Sequence, residues 1–327
     1  MSLKRVVECI KSNKSFLITS HTNLEGDALG SELAFYRLLK SMGKQAIVVN
    51  DDFVSYRYGF LPDIDNIKRF KNNSKNIKFD CLAILDCSSL VRCGEVSKIN
   101  LVNRHILNID HHISNEKFGE TNWVDPNASS ASEMVYRIYK RLNMSFDKDT
   151  ALLLYVGMLT DTGSFHYINT TSFTHKAISD LLKLNLNITQ IYQNIYGSIP
   201  FAEMKLLLKI LTTVEIVFAG KIACFKIKRD MLKNQKKLSF DLTENLLSFA
   251  RAIKDIEVVV LFRENLGQKN EIRVNLRSQG KVDVNEIAAF FGGGGHKTAS
   301  GATVRGKIDQ VKKKVLVKIK ESLKQSL

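Results

Sequence analysis

The first half of the chain alternates short apolar runs with segments of helical periodicity. The continuous apolar runs lie at 15–20, 45–50, 81–86 and 104–110. After the first run, apolar positions recur at helical spacing through Leu33 and Leu38 as far as Gly43. Apolar strands separated by helices are typical of a parallel sheet covered on both faces. We therefore predict an α/β fold with a doubly wound, mainly parallel sheet in the N-terminal domain.

The pattern changes after an Asn-rich segment in the middle of the chain. This segment, 185–201, has little periodicity and closes with Gly197 and Pro200, which indicates a linker. The elements predicted beyond it are strands at 213–218, 222–227, 258–263 and 271–277, and helices near 243–253 and 284–291. We expect a smaller, mixed-sheet α/β domain there. The predicted organisation is a domain at 1–185, a linker at 186–205 and a domain at 206–327.

Both ends of the chain have the apolar spacing of amphipathic helices. In 1–10, Leu3, Val6 and Ile10 share one helix face, so this segment is not a signal peptide. In the tail, one face is formed by Ile308, Val311, Val315, Ile319 and Leu323. The lysines of the tail are then mostly a solvated face. No apolar run approaches the length of a membrane span, so no membrane partner is expected.

Composition narrows the class of partner. Lys and Arg number 48 against 33 for Asp and Glu, and the formal net charge is +15. Such a surface attracts anions, among them nucleic acids and nucleotides, although positive charge also serves solubility. The 327 residues suit two compact domains. Five cysteines without C-x-x-C spacing indicate neither a disulfide framework nor a zinc ribbon, which fits a reducing cytoplasm.

Ionisable side chains stand where the predicted strands end. Side chains that follow parallel strands gather at one edge of the sheet, beyond the carboxyl ends. A later helical run, 153–161, also finishes on an acid, Asp161. The candidate side chains on these four segments are His21, Glu25, Asp27, Asp86, Asp110, His111, His112 and Asp161. A lone Asp is usually a helix cap or turn residue, but this ordered set favours a site.

Mixed carboxylates and imidazoles are the ligands that a pair of divalent ions requires. Hydrolysis of a phosphate ester needs an activated water, charge compensation on the phosphoryl oxygens and help for the leaving alkoxide, and a two-metal site supplies all three. Mixed Asp and His ligation with room for water favours Mn²⁺, with Mg²⁺, Co²⁺ or Fe²⁺ as alternatives. The predicted metal ligands are His21, Glu25, Asp27, Asp86, His111 and Asp161.

The second domain contains an unusual glycine run, Phe291–Gly301. It is not a Walker loop, because His296 stands before Lys297 and Thr298 where that motif has glycine. One interpretation is a flexible hinge. The other is a binding segment, because residues without Cβ let backbone N–H groups approach a phosphate or a base closely.

Taken together, these segments resemble the ordered motifs of the DHH phosphoesterase family. The motifs are S-H-x-x-x-D-G-D-A-x-G-S from residue 20, a strand ending in Asp86, D-H-H at 110–112 and T-D-T-G at 160–163. The closing G-G-G-G-H-K-x-A-S-G resembles the signature of the DHH-associated C-terminal domain. The likeness covers nearly the whole chain. It is strongest to the nanoRNase branch, cytoplasmic enzymes that degrade very short RNAs and often dephosphorylate 3′-phosphoadenosine 5′-phosphate (pAp).

The resemblance implies a role for each candidate residue. The metal ligands would be His21 and Glu25 for one ion and Asp27, His111 and Asp161 for the other, with Asp86 bridging. His112 would lie beside the scissile phosphate, and Asp110 would orient its neighbours. The residues that bind the terminal nucleotide would be Arg277, Ser278, Gly293, Gly294, Gly295 and His296.

Glu25 departs from the family pattern, which has Asp at this position. One extra methylene moves the carboxylate by roughly 1 Å or more unless the loop retreats, whereas metal distances tolerate about ±0.2 Å. We expect the first ion to be held differently or more weakly, with activity retained.

The resemblance implies a Mn²⁺-dependent hydrolase that converts short single-stranded RNA to nucleoside 5′-monophosphates, and pAp to AMP and phosphate. Alternatives within the same chemistry are a cyclic-dinucleotide or pApA phosphodiesterase, a RecJ-type exonuclease and a pyrophosphatase. The last two are less favoured, since no extra strand-binding domain is visible and a pyrophosphatase would lack the glycine run. A nucleotide-binding sensor without catalysis is the alternative from another class. Enzymes of this type often form homodimers, an expectation that rests on the resemblance alone.

Overall fold

The computed structural model describes residues 3–71, 74, 76–99, 104–197, 199–232, 240–265 and 267–326. The chain divides into two compact units, unit 1 (Met1–Ser198) and unit 2 (Ile199–Leu327). This division falls inside the segment predicted as a linker. Part of that segment is helical, Ile188–Tyr196, because the Asn187 side chain accepts a hydrogen bond from Gln190 N at 3.0 Å and caps the first turn. The domain boundaries themselves stay a prediction.

Unit 1 is built on a six-stranded sheet. Its strands are β1 (Ser15–Thr19), β2 (Gln45–Asn50), β3 (Ile67–Arg69), β4 (Cys81–Leu85), β5 (His105–Asp110) and β6 (Thr121–Val124). Their order is β3-β2-β1-β4-β5-β6, and every neighbouring pair is parallel. The predicted doubly wound parallel sheet is confirmed. The short edge strands β3 and β6 are absent from the sequence prediction.

Successive strand residues point to opposite faces of this sheet, and each face packs against its own hydrophobic core. The helices of unit 1 are α1 (Leu3–Ser12), α2 (Gly26–Ser41), α3 (Ala131–Arg141), α4 (Lys148–Asp161), α5 (Ser172–Leu182) and α6 (Ile188–Tyr196). Phe16 and Ile18 of β1 pack in the helical core on one face. Leu17 packs on the other face with Val96 of a 3-10 segment, Leu90–Ile99.

The strand order places a switch point at the centre of the sheet. β2 lies on one side of β1 and β4 lies on the other, so the chain leaves the two central strands in opposite directions. Ligand groups in open α/β sheets collect beyond the carboxyl ends of such strands. In this sheet those ends are followed by Ser20–His21 and by Asp86.

Unit 2 has a second six-stranded sheet. Its strands are β7 (Glu215–Val217), β8 (Ile222–Ile227), β9 (Val258–Glu264), β10 (Glu271–Ser278), β11 (Gly294–Gly295) and β12 (Ala299–Arg305). Its helices are α7 (Phe201–Leu211), α8 (Phe240–Arg251), α9 (Val284–Phe290) and α10 (Ile308–Ser326). The strand order is β11-β12-β10-β9-β8-β7, in which only β8 and β9 are parallel. The predicted mixed sheet is confirmed, whereas β11 and β12 were not foreseen.

The tail helix α10 closes one face of this second sheet. The predicted apolar face is confirmed, since Ile308, Val311, Val315, Ile319 and Leu323 all lie in the core. Among the helices of the described residues, none is both long enough and apolar enough to cross a bilayer. All five cysteines are free and buried.

Candidate metal centre

The first site segment is the loop between β1 and α2. His21 is buried, and its Nδ1–H donates to the carbonyl of Thr22 at 2.7 Å. This bond fixes the tautomer and leaves the lone pair of Nε2 available for a ligand. Nε2 faces Asp86 Oδ2 at 3.3 Å and Glu25 Oε1 at 3.6 Å. The loop therefore presents one imidazole and one carboxylate to the same point.

Asp27 lies in the first turn of α2 and is held by the start of another helix. The backbone N–H groups of Ala131 and Ser132 donate to its two oxygens at 2.6 and 2.8 Å. These amides belong to the first turn of α3, where the helix dipole also favours negative charge. Asp27 is completely buried. Its carboxylate is thus oriented by backbone groups that no side-chain substitution removes.

Asp86 stands at the centre of the site, directly after β4. It is buried and has a positive φ of 52°, a conformation that Asp tolerates better than most residues. Its Oδ2 faces His21, whereas its Oδ1 lies 3.5 Å from His111 Nε2. The two oxygens of one carboxylate therefore point to two different groups of potential ligands.

His111 forms the other half of the site with two acids. Its Nδ1 lies 3.2 Å from the carbonyl of Ala128, to which only an N–H can donate, so Nε2 is the atom that faces the acids. Nε2 lies 3.5 Å from Asp161 Oδ2 and 3.8 Å from Asp27 Oδ2. Asp161 is the last residue of α4, which places its carboxylate at the edge of the parallel sheet.

His112 is oriented by a chain of hydrogen bonds. Its Nδ1–H donates to Asp110 Oδ1 at 2.7 Å, and the Asn115 amide donates to Asp110 Oδ2 at 2.6 Å. Asn115 also donates to the side chain of Asn108 at 2.8 Å. Asp110 is buried, and both of its carboxylate oxygens accept hydrogen bonds. The bond to Asp110 directs the other ring nitrogen of His112, Nε2, away from Asp110.

We call His21, Glu25, Asp27, Asp86, His111 and Asp161 the acid–histidine cluster. Burial and the nearby charge of Asp86 raise the pKa of Asp27 to about 7. Burial also raises the pKa of Asp161 well above its ordinary value, and attraction to His111 offsets only part of that rise. Burial opposes ionisation of Asp86, but the nearby imidazoles of His111 and His21 hold its pKa well below the ordinary value. The acids therefore compete for protons, and divalent cations would compensate their charge.

The geometry fits metal ions at two overlapping positions. The ligand atoms of His21, Glu25 and Asp86 lie within 4.8 Å of one another, and those of Asp27, Asp86 and His111 do likewise. In the part of the chain that the structure describes, buried His21 Nε2 and Asp86 Oδ2 have no well-aligned hydrogen-bond partner. Buried polar atoms are normally satisfied, so this pair points to a missing ligand. The groups can hold metal, and each residue's role as a ligand stays a prediction.

Three supporting amides were missed by the sequence analysis. Asn115 braces Asp110, and Asn169 donates to the Asp161 carboxylate at 3.3 Å. Asn50 accepts from Ser20 N at 3.2 Å and donates to buried Glu32 at 2.8 Å, which steadies the loop that carries His21. Asn115 follows the D-H-H motif by three residues, so proximity in sequence was a usable signal. Asn50 and Asn169 lie next to no motif, so the sequence gave no signal for them.

The glycine run of unit 2 is an ordered hairpin rather than a flexible hinge. β11 pairs with β12 through Gly294 and Gly301, and His296 N donates to Ala299 O at 2.8 Å across the turn. A Cβ at Gly293 would lie 2.1 Å from Gly301 O, so only glycine fits there. The run thus needs glycine for close approach between its own strands.

The predicted nucleotide-binding residues of unit 2 surround this hairpin. Arg277 lies on β10 opposite Ala299 of β12, next to the hairpin that carries Gly294, Gly295 and His296. Ser278 is buried, and its Oγ accepts a hydrogen bond from Gly280 N at 2.9 Å, which supports the turn after β10. Their contact with a nucleotide stays a prediction.

Family models match both units. Residues 15–158 match the DHH family, N-terminal domain, and residues 222–325 match the DHHA1 domain. The first range contains all but Asp161 of the acid–histidine cluster, and the second contains the glycine run. The chain is a DHH family protein with a DHHA1 domain. The resemblance seen in its motifs is confirmed.

Relatives of known name match this DHH protein along almost its whole length. It is 28% identical over 327 residues to the "Bifunctional oligoribonuclease and PAP phosphatase NrnA" of Thermus thermophilus, covering 98% of this chain and 94% of the relative. The protein of the same name from Bacillus subtilis is 26% identical, with 91% and 92% covered. An exopolyphosphatase-related protein from Bacteroides fragilis has a similar structure, with a TM-score of 0.86, 26% identity, and 99% and 95% covered.

Proposed function

We propose that this chain is a metal-dependent phosphoesterase that hydrolyses short oligoribonucleotides to nucleoside 5′-monophosphates, and pAp to AMP and phosphate. The observation that carries the proposal is the position of Asp86, whose two oxygens face two separate groups of ligand atoms. A shared carboxylate between two such groups is the arrangement of two-metal hydrolases. The relatives from Thermus thermophilus and Bacillus subtilis are named for both activities, which supports this choice of substrates.

In this proposal the acid–histidine cluster holds two divalent ions. His21 and Glu25 would hold one ion, Asp27, His111 and Asp161 would hold the other, and Asp86 would serve both. Carboxylates with one imidazole per ion and space for water suit Mn²⁺. The ions would supply an activated water and charge compensation for the phosphoryl oxygens.

The protein's own groups orient the substrate and handle the leaving group. Because Asp110 accepts the Nδ1–H of His112, the imidazole is held with Nε2 directed away from Asp110. We propose that Nε2 of His112 hydrogen-bonds a phosphate oxygen or the departing alkoxide. Asn115 keeps Asp110 in place from its other oxygen. His112 is buried, which strengthens such a hydrogen bond by excluding water.

Unit 2 is proposed to bind the end of the nucleotide. Arg277 would pair with a terminal phosphate, while backbone N–H groups at 293–295 and the imidazole of His296 would contact the phosphate or base. Support comes from the ordered hairpin, which fixes this backbone before any ligand arrives. Ser278 would contribute by shaping the adjoining turn.

A single panel of substrates tests the function. The purified protein with Mn²⁺ is given labelled dinucleotide, pentanucleotide and 24-mer RNA, together with pAp, pApA and pyrophosphate, and each reaction is repeated with a chelator. We expect turnover of the dinucleotide, the pentanucleotide and pAp, and its loss with the chelator. Hydrolysis of pyrophosphate alone would make the proposal wrong, and binding of nucleotides without turnover would indicate a sensor.

A further inference from the structure

Arg92 lies beside the acid–histidine cluster and has no role in the proposal so far. It belongs to the 3-10 segment Leu90–Ile99, which follows Asp86. Its carbonyl accepts a hydrogen bond from Thr22 N at 2.7 Å, which joins this segment to the loop that carries His21. Gly94, at a φ of 61°, lets the segment pack closely, because a Cβ there would collide with the Asp51 carboxylate and lie 3.0 Å from Thr22 Cγ2. The backbone of Arg92 is therefore fixed next to a predicted metal ligand.

The side chain of Arg92 is also held in place. One guanidinium nitrogen, Nη1, donates to Ser88 Oγ at 3.2 Å. Ser88 is buried, and its carbonyl accepts a hydrogen bond from Glu116 N at 2.9 Å, just beyond the D-H-H motif. Arg92 itself is half-buried. The side chain is thus tied to the segment that directly follows Asp86.

Two other arginines of unit 1 are neutralised by acids. Arg37 forms ion pairs with Asp63 and Asp147, and Arg137 forms ion pairs with Asp125 and Glu133. Arg92 differs, because among the described residues no carboxylate lies within ion-pair distance of its guanidinium, and Ser88 is its hydrogen-bond partner. A guanidinium has five N–H donors in a planar fork, so most of its donors remain for another acceptor.

We propose that Arg92 binds a non-bridging oxygen of the scissile phosphate. A planar, permanently charged fork suits a phosphate, and the charge that develops on phosphoryl oxygens during transfer strengthens this contact. Ser88 acts as the positioning residue that aims the guanidinium. The inference rests on the proposed function, since it names a further substrate contact in the same site.

Kinetics of Arg92 variants provide the first test. Arg92→Ala should lower kcat/KM for the dinucleotide and for pAp alike by about tenfold to a hundredfold, because both reactions share the contacted phosphate. Arg92→Lys should restore part of the loss, since Lys keeps the charge without the fork. Ser88→Ala should cause a smaller loss, about severalfold. Lys98→Ala is the matched control, because Lys98 is exposed on the same segment and pairs with Glu95 at 2.6 Å.

Two binding measurements separate a substrate contact from a structural effect. Mn²⁺ titration followed by electron paramagnetic resonance should give the same metal affinity for wild type and Arg92→Ala. Calorimetric titration with inorganic phosphate on the Mn²⁺-loaded protein should give at least about tenfold weaker binding for the variant. Wild-type phosphate affinity in Arg92→Ala would overturn the inference, and so would loss of Mn²⁺ binding. If wild type hydrolyses no substrate in the panel, the proposed function fails, and the phosphate titration still decides the role of Arg92.

Discussion

The acid–histidine cluster of unit 1 and the glycine run of unit 2 are built in opposite ways. The cluster brings ionisable side chains from four segments into a buried place, where their charges shift one another's pKa. The glycine run brings its own backbone strands together, and it depends on the absence of side chains. Substitutions in the cluster should therefore change chemistry more than stability. Substitutions in the glycine run should change local structure first and chemistry through it.

The largest expected effect comes from Asp86→Asn in the cluster. Asn keeps the shape and tolerates the positive φ, but it removes the charge that both proposed ions share. Turnover of every substrate should fall by at least about a thousandfold. Thermal stability in chelator should fall, because the lowered pKa of Asp86 means that its charge stabilises the fold beside His21 and His111. Asp149→Asn, at an exposed acid on α4, is the control for both measurements. Near-normal turnover of Asp86→Asn would remove the two-metal assignment.

Gly293→Ala tests the other side of the comparison. The added Cβ would lie 2.1 Å from Gly301 O and 2.7 Å from Ala302 Cα, so β11 must move away from β12. We expect a loss of about 1–3 kcal/mol in the free energy of unfolding, measured by chemical denaturation. KM should rise more than kcat falls, since the cluster is untouched. In Gly267→Ala the new Cβ would approach no closer than 3.7 Å to Asn265 Oδ1, which makes that variant the control. Unchanged stability and KM in Gly293→Ala would show that the hairpin yields without cost.

Glu32 extends the comparison to an acid behind the cluster. Burial raises its pKa from 4.5 to about 8, although the hydrogen bond from Asn50 partly opposes this. An acid whose folded pKa is raised stabilises the fold fully below its unfolded pKa, and that contribution is lost as the pH rises. Stability should thus fall between pH 4.5 and about 8. Glu32→Gln should flatten the decline of melting temperature with pH. Glu8→Gln, at an exposed position of α1, should leave that decline unchanged. Equal slopes for wild type and Glu32→Gln would show that Glu32 ionises normally.

The sequence predicted the central strands because burial on both faces leaves a continuous apolar run. Edge strands such as β3 and β6 are short and less apolar, so no continuous apolar run in the sequence indicates them. His21, Asp86 and His111 were found because chemistry follows strand ends in this fold. Asn169 could not be found, since amides are ordinary loop residues and its contact with Asp161 exists only in three dimensions. The hairpin was hidden because glycine gives no strand pattern.

The smallest effect is expected at Glu25, the least buried acid of the cluster. Its side chain is 32% exposed, against 2% for Asp86, and it makes no capping hydrogen bond at the start of α2. Because this side chain and its loop are less enclosed, Glu25→Asp should keep kcat within about threefold of wild type. Glu25→Gln keeps the length and removes the charge, and it should weaken Mn²⁺ binding by about tenfold. An inactive Glu25→Asp would mean that the loop is as rigid as the buried core of the cluster. An active Glu25→Asp would show that this ligand position accepts either length of acid, because it faces solvent.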